Sequence, residues 1–277
     1  YIATILSILN NQLTPVLIEP NLQTYNIDHE KIEEKITNKT KAILVVHLYG
    51  KPCDMMQIDN IAKKYKLPIL EDCAQAHGAA IGEQLVGSFG LFGCFSFYPS
   101  KNLGGLGDGG AITTNNTKLF NFLKAYSNYG SEKKYYNNFI GINSRLDELQ
   151  AAFLLIKLKS LEKINSHKRG LAELYHTYLD ERFIKPVIDS RFTEVHHIFP
   201  IRFEKRDKLK KFIRSKDIET EIHYPVPPYQ QKALENLFNP NDYPISSLIH
   251  QTILSLPISY CHSKDDIMSV IKVLNKY

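Results

Sequence analysis

The run Ala42–Leu48, AILVVHL, constrains the fold more than any other feature. It is too short to span a bilayer, which takes about 20 apolar residues. Its β-branched, apolar character is that of a strand buried on both faces, as in a helix-covered parallel sheet. Asp54–Lys66 follows in helical pattern, with Ile58, Ile61, Ala62 and Tyr65 on one face. Leu67–Leu70 then reads as a second short buried strand, stopped by the acidic pair Glu71–Asp72. Leu13–Ile18, Gly93–Tyr98 and Ala111–Thr114 read as further strands, and Asp28 as the cap of a helix with Ile32 and Ile36 four apart. Alternation of this kind predicts an α/β domain with a mostly parallel sheet.

The pattern changes near Asn143. Arg145 to about Leu161 reads as one long helix with a broad apolar stripe, and helical pattern resumes beyond Lys168 to about Arg182. An α+β unit follows. His197–Phe203 and Glu219–Tyr224 read as strands, and Asp207–Arg214 as a helix. The last helix starts at Ser263, with Asp266 three residues on in a near capping box. The division expected is a large domain over residues 1–165 and a smaller C-terminal domain over residues 166–277. The formal charge of +5 is spread along the chain, so a nucleic-acid surface is not indicated, and no apolar run is long enough for a membrane. The cysteines, Cys53, Cys73, Cys94 and Cys261, form no C-x-x-C pair. That predicts neither a metal site nor a disulfide framework, and fits the reducing cytoplasm. The chain opens on Tyr1 and shows no signal peptide, which reads as a fragment or a processed form.

Three features bear on chemistry. Asp72 stands at the end of a buried strand, where α/β sheets bind ligands; alone, it reads as a cap for the next helix. Lys101 follows the aromatic strand FSFY, and apolar surroundings would lower its pKa and free its amine; alone, it reads as a surface lysine. Gly104–Gly110 holds five glycines in seven positions, ending in neither a P-loop nor a dinucleotide fingerprint; alone, it is a turn. Taken together they supply an imine-forming lysine, a carboxylate from another strand end and close-lying backbone. Pyridoxal phosphate needs these parts: the lysine holds its aldehyde, and the acid keeps its pyridine nitrogen protonated. Other candidates read as structural. His196 and His197 are adjacent in a strand and face opposite ways, His77 reads as a packing residue, and Arg145 is as well placed to pair with Asp147 or Glu148 as with a phosphate.

The segments EDCAQAHGA (Glu71–Ala79), FSFYPSKNLGGLGDGGA (Phe95–Ala111) and GINSRLDELQAA (Gly141–Ala152) resemble the DegT/DnrJ/EryC1/StrS sugar aminotransferases. VHLYG (Val46–Gly50) and NYGSEKKY (Asn128–Tyr135) resemble the branch acting on nucleotide-linked 3-keto-6-deoxyhexoses. The resemblance implies the aspartate-aminotransferase fold type, pyridoxal 5'-phosphate as cofactor, glutamate as amino donor, and a homodimer with shared active sites serving deoxysugar, lipopolysaccharide or glycan biosynthesis. It implies that Lys101 is the Schiff-base lysine, Asp72 the partner of the pyridine nitrogen, and Gln75 a neighbour of the ring and its 3-hydroxyl. Ser96 matches a phosphate-binding serine, Asn143 an asparagine reaching the phosphate from the other subunit, and Tyr1 an aromatic stacking on the ring. His223 and Tyr224 match a segment near the sugar. The related dehydratases carry His where Lys101 stands. The other alternative is an inactive, truncated remnant kept as a dimerisation module. There are two departures: the family carries a further segment before the position of Tyr1, with a phosphate-binding helix start, and Leu91 stands where relatives often carry an acid.

Overall fold

The computed structural model describes residues 1–277. Strands β1 (Ile43–Val46), β2 (Ile69–Asp72), β3 (Ala80–Ile81), β4 (Gln84–Leu85), β5 (Phe92–Ser96) and β6 (Gly110–Thr113) succeed one another in the first part of the chain. Four of them form the central sheet in the order β1-β2-β5-β6, the first three parallel and β6 antiparallel at the edge. Helix α1 (Ile2–Leu9) precedes the sheet, and α2 (Met55–Tyr65) makes the crossover from β1 to β2. Asp54 caps α2 by accepting from the Gln57 amide, and Lys66 ends it in the left-handed region at φ 54°. Met55, Ile58, Ile61 and Ala62 pack on Ile43, Val45 and Ile69 to make the core beneath the sheet. Tyr65 lies past the sheet, exposed, with its hydroxyl on Glu33.

β1 is buried on one face only. Ile43 and Val45 are enclosed, whereas Leu44 and Val46 line an apolar cavity of about 970 Å³ together with Ile8, Leu13 and Val16. Leu13–Ile18 forms no strand and pairs with none; the chain closes instead through a bridge between Pro20 and Ile27. Asp28 does act as a cap, but of the first of two short 3-10 turns, His29–Lys31 and Glu33–Lys35, neither long enough to be the expected helix.

Helix α3 (Thr117–Tyr126) leads to the hairpin of β7 (Ser131–Lys133) and β8 (Tyr136–Asn137). The two helical segments expected, Arg145 to about Leu161 and beyond Lys168 to about Arg182, are α4 (Glu148–Leu158) and α5 (Leu161–Tyr178), but the chain turns at Lys159–Ser160 and α5 starts earlier than expected. Leu158 and Leu161 sit three apart, so the apolar spacing runs straight through the break and shifts its expected position. On α4, Leu149 and Ile156 are 76% and 69% exposed, and Phe120 and Phe122 on α3 are exposed too.

The remainder packs around a second core. Strand β9 (Phe192–Thr193) joins β3, and β10 (Phe199–Arg202) pairs antiparallel with β11 (Ile253–Leu256). Tyr175 and Leu171 of α5, Leu209 and Ile213 of α6 (Arg206–Arg214), and Ile267 and Ile271 of α8 (Lys264–Leu274) close on Phe199, Ile201 and Leu254. The expected strand Glu219–Tyr224 reduces to one bridge between Glu221 and Ser255. Pro225, Pro227 and Pro228 follow and lack the amide hydrogens a longer ladder needs. The capping box at Ser263 and Asp266 is present. Glu19 joins the early chain to the late one: its two carboxylate oxygens accept the Ile245 and Ser246 amides, at 2.7 and 3.0 Å, at the start of α7 (Pro244–Thr252). No helix is long and apolar enough to cross a membrane.

Candidate active site

The pleat of β2 sends its two terminal acids to different places. Glu71 points inward and is fully enclosed. It accepts the amides of Gly87 (2.7 Å), Phe89 (2.8 Å) and Gly90 (2.6 Å), and meets His47 Nε2 at 3.0 Å. Gly90 is required here, since a Cβ would lie 2.5 Å from the Ile69 carbonyl oxygen. Burial works against ionisation of Glu71, but the hydrogen bonds from His47 and these glycine amides outweigh it and hold the carboxyl below its usual range. His47 Nδ1 accepts the Cys53 amide at 3.0 Å, so Nε2 carries the hydrogen that Glu71 receives. His47, Glu71 and Cys73 cluster closely enough to suggest a metal, but both His47 nitrogens and both Glu71 oxygens are already engaged with protein groups. The cluster is a frame that fixes the end of β2.

Asp72 points the other way and is half-buried. One oxygen accepts the Ala74 amide (3.0 Å) in a local turn, with no helix following for it to cap; the other accepts the Thr4 hydroxyl of α1 at 2.7 Å. Gln75 lies just beyond, buried, with Oε1 accepting the Tyr49 amide (2.7 Å) and Nε2 donating to the Tyr224 hydroxyl (3.2 Å). Tyr49 adopts φ 61° before Gly50 at φ 93°, where a Cβ would lie 2.8 Å from Val195. This tight turn swings the Tyr49 hydroxyl onto the His223 carbonyl. His223 is held by Ser255 at 2.9 Å, and the Tyr224 ring lies 5.4 Å from the Tyr1 ring.

Lys101 sits in the turn after β5, its amide donating to the Tyr98 carbonyl at 2.9 Å. Gly104 lets this turn close, since a Cβ would stand 2.3 Å from the Pro99 oxygen. Burial lowers the pKa of the Lys101 amine, and the Asp72 carboxylate partly opposes that shift; no hydrogen bond contributes. Burial and then the Lys101 charge push His77 down to about 4, and its ring packs 5.4 Å from Phe95 with both nitrogens unpartnered. His223 is lowered by burial and again feels Lys101. The site is therefore an amine kept reactive beside a carboxylate, walled by Gln75, Tyr224, Tyr1 and His223. The large apolar cavity adjoins it through Tyr1, Thr4 and Tyr224 but is lined by neither Asp72 nor Lys101.

Ser96 lies at the end of β5, five residues before Lys101, where its hydroxyl accepts the Tyr98 amide at 3.3 Å. Asn143 is exposed; it bridges to Asn128 and accepts from Arg145 at 3.0 Å, within its own stretch of chain. Thr4 and Tyr49 were missed at the level of sequence. Their partners lie 68 and 26 residues away, and no local pattern encodes such a meeting.

Residues 1–275 match the DegT/DnrJ/EryC1/StrS aminotransferase family. The dTDP-3-amino-3,6-dideoxy-alpha-D-galactopyranose transaminase of Aneurinibacillus thermoaerophilus is 51% identical over 278 residues, covering 100% of this chain and 76% of that protein. Among solved structures, Streptomyces venezuelae DesV superposes with a TM-score of 0.97 at 38% identity, over 100% of this chain and 75% of that one. NtdA from Bacillus subtilis, solved with bound cofactor PMP, superposes with a TM-score of 0.87 at 31% identity, over 98% and 66% of the two chains. The match runs along nearly the whole length, and the chain belongs to the DegT/DnrJ/EryC1/StrS aminotransferase family.

Proposed function

We propose that this chain moves an amino group from glutamate to the C3 keto carbon of a nucleotide-linked 6-deoxy sugar, using pyridoxal phosphate. The aminotransferase activity, its nucleotide-sugar substrates and its cofactor follow from the family and from relatives alike over the full chain. The C3 position follows the 3-amino sugar in the first relative's name. One observation carries the reading: the Lys101 amine is half-buried, free of hydrogen bonds, and feels the charge of the Asp72 carboxylate, the two residues lying at or beyond the carboxyl ends of neighbouring parallel strands.

These residues fit the cofactor. An unpaired amine of lowered pKa suits an aldehyde, and Asp72 has two donors, Thr4 and Ala74, to orient it toward a third at a ring nitrogen. When bound, pyridoxal phosphate carries the amino group between donor and acceptor and draws the charge of the deprotonated carbon into its ring. Lys101 would hold it covalently through Nζ and, once released, take a proton from one carbon and return it to another. Asp72 would keep the ring nitrogen protonated, with Thr4 fixing its carboxylate. Gln75 would lie by the 3-hydroxyl, Tyr1 against the ring, Ser96 and the partner subunit's copy of Asn143 at the phosphate, and His223 and Tyr224 toward the sugar. An amine at position 101 favours transfer over dehydration. The exposed apolar residues of α3 and α4 support a second copy of this chain as the partner, bringing Asn143 to the opposite site. The largest clusters support a large domain to about residue 165 and a small one after it, since one draws only on residues before that point and the other only on residues after it, while two smaller clusters join the halves. The four free cysteines fit a place in the cytoplasm.

The test is borohydride reduction of the protein with pyridoxal phosphate, followed by peptide mapping, and assay of amino transfer from glutamate to a dTDP-linked 3-keto-6-deoxyhexose. Label on Lys101 with turnover is expected. Label on another lysine, or none, would overturn the assignment.

A further inference from the structure

Next to Lys101 lies a buried polar network that the transfer step does not use. Asn102 is enclosed, and every hydrogen-bonding atom of its side chain is engaged. Nδ2 donates to Asn165 Oδ1 and to the Val195 carbonyl, both at 2.9 Å, and Oδ1 accepts Lys168 Nζ at 2.9 Å. Two acceptors on Nδ2 and one donor on Oδ1 leave the amide a single orientation. Lys168 also donates to the His197 carbonyl (3.2 Å), and Asn165 donates to the His77 carbonyl (2.8 Å). The network thus ties the turn carrying Lys101 to α5, to the lead into β10 and to the turn after β2.

Lys168 is 5% exposed and has no carboxylate partner. Burial, and then the charge of Lys157, push its amine down to about 7. A buried lysine without an acid is costly, and a methionine would fill the same volume without that cost. What the lysine supplies here, and a methionine cannot, is the donor that locks Asn102. We propose that Lys168 is a positioning residue for the reactive amine: through Asn102 it fixes the backbone that carries Lys101 and so keeps that amine out of water. Without it, Asn102 Oδ1 is left unpaired in the interior, and the turn relaxes outward to solvate it.

The inference rests on Lys101 being the reactive amine, and its test does not need the cofactor. The cofactor-free protein is labelled competitively with acetic anhydride across a pH series, and the Lys101 peptide is quantified by mass spectrometry. The midpoint of its labelling curve is independent of simple access. In Lys168→Met that midpoint should rise toward the value of an ordinary exposed lysine, and Lys168→Arg, which keeps the donor, should restore it. Leu171→Ala, in the core on the same helix, should lower the melting temperature without moving the midpoint. An unmoved Lys101 midpoint in a destabilised Lys168→Met would overturn the proposal. If that variant does not fold, hydrogen exchange on the unaltered chain decides. The Lys101 amide should exchange as slowly as those of β5, and exchange as fast as that of the exposed hairpin at 131–137 would overturn it. Borohydride label on a different lysine would instead sink the functional reading, whatever Lys168 does.

Discussion

At the scale of single residues, Glu71 and Asp72 are one carboxylate chemistry in two employments. Lys101→Ala should abolish transamination while leaving melting close to that of the unaltered protein, and retained turnover would refute the role of Lys101. Asp72→Asn should keep the fold but slow turnover by about two orders of magnitude, because a neutral pyridine is a poor electron sink. Unchanged turnover at saturating cofactor would remove Asp72 from the mechanism. Glu71→Gln should act on stability, costing about 2–4 kcal/mol because a buried, charge-assisted set of bonds is disrupted. The pH dependence has a definite sign. The carboxyl of Glu71 is depressed on folding, so its contribution is complete above the ordinary glutamate pKa and is lost as pH falls through the folded value. Melting of the unaltered protein should therefore drop on going from about pH 5 to about pH 3, and Glu71→Gln should flatten that drop. An equally steep curve in both would show that Glu71 is not the group responsible.

At the scale of elements, the chain was legible where the signal was local. The strands at 43–46, 69–72, 92–96 and 110–113 and the helix after Asp54 follow from apolar runs and caps, and Lys101 and Asp72 sit in motifs that declare themselves. Elements failed where the deciding force came from elsewhere. Leu13–Ile18 has strand composition but no neighbour to pair with, and the α4–α5 break was expected later than it falls because the apolar spacing runs through it. Thr4, Tyr49, Asn102 and Lys168 were silent for the same reason, since each matters through a partner many residues away. Two predictions belong here. Ser263→Ala removes the α8 capping box and should cost about 1 kcal/mol, read as a melting temperature lowered by about 2–4 °C. Leu149→Asp with Ile156→Asp places charge on the exposed face of α4, and sedimentation should show a dimer giving way to folded monomer. An unchanged sedimentation coefficient would show that α4 is not the contact face.

At the scale of the whole molecule, the site draws on every part of the chain. If Asn143 serves the opposite site, mixing inactive Lys101→Ala and Asn143→Ala proteins should restore about a quarter of normal activity, since half the dimers are mixed and each has one intact site. No recovery after demonstrated subunit exchange would confine each site to one chain. Within a chain, Glu19 grips the start of α7 across 226 positions, and Tyr49 and Gln75 reach His223 and Tyr224. These contacts fix a schedule for synthesis. A growing chain has its reactive lysine and carboxylate more than a hundred residues before their far wall, His223 and Tyr224, leaves the ribosome. Until then the amine stands without its enclosure, and a stop codon between Lys101 and His223 yields a protein that has its reactive pair and nowhere to use it.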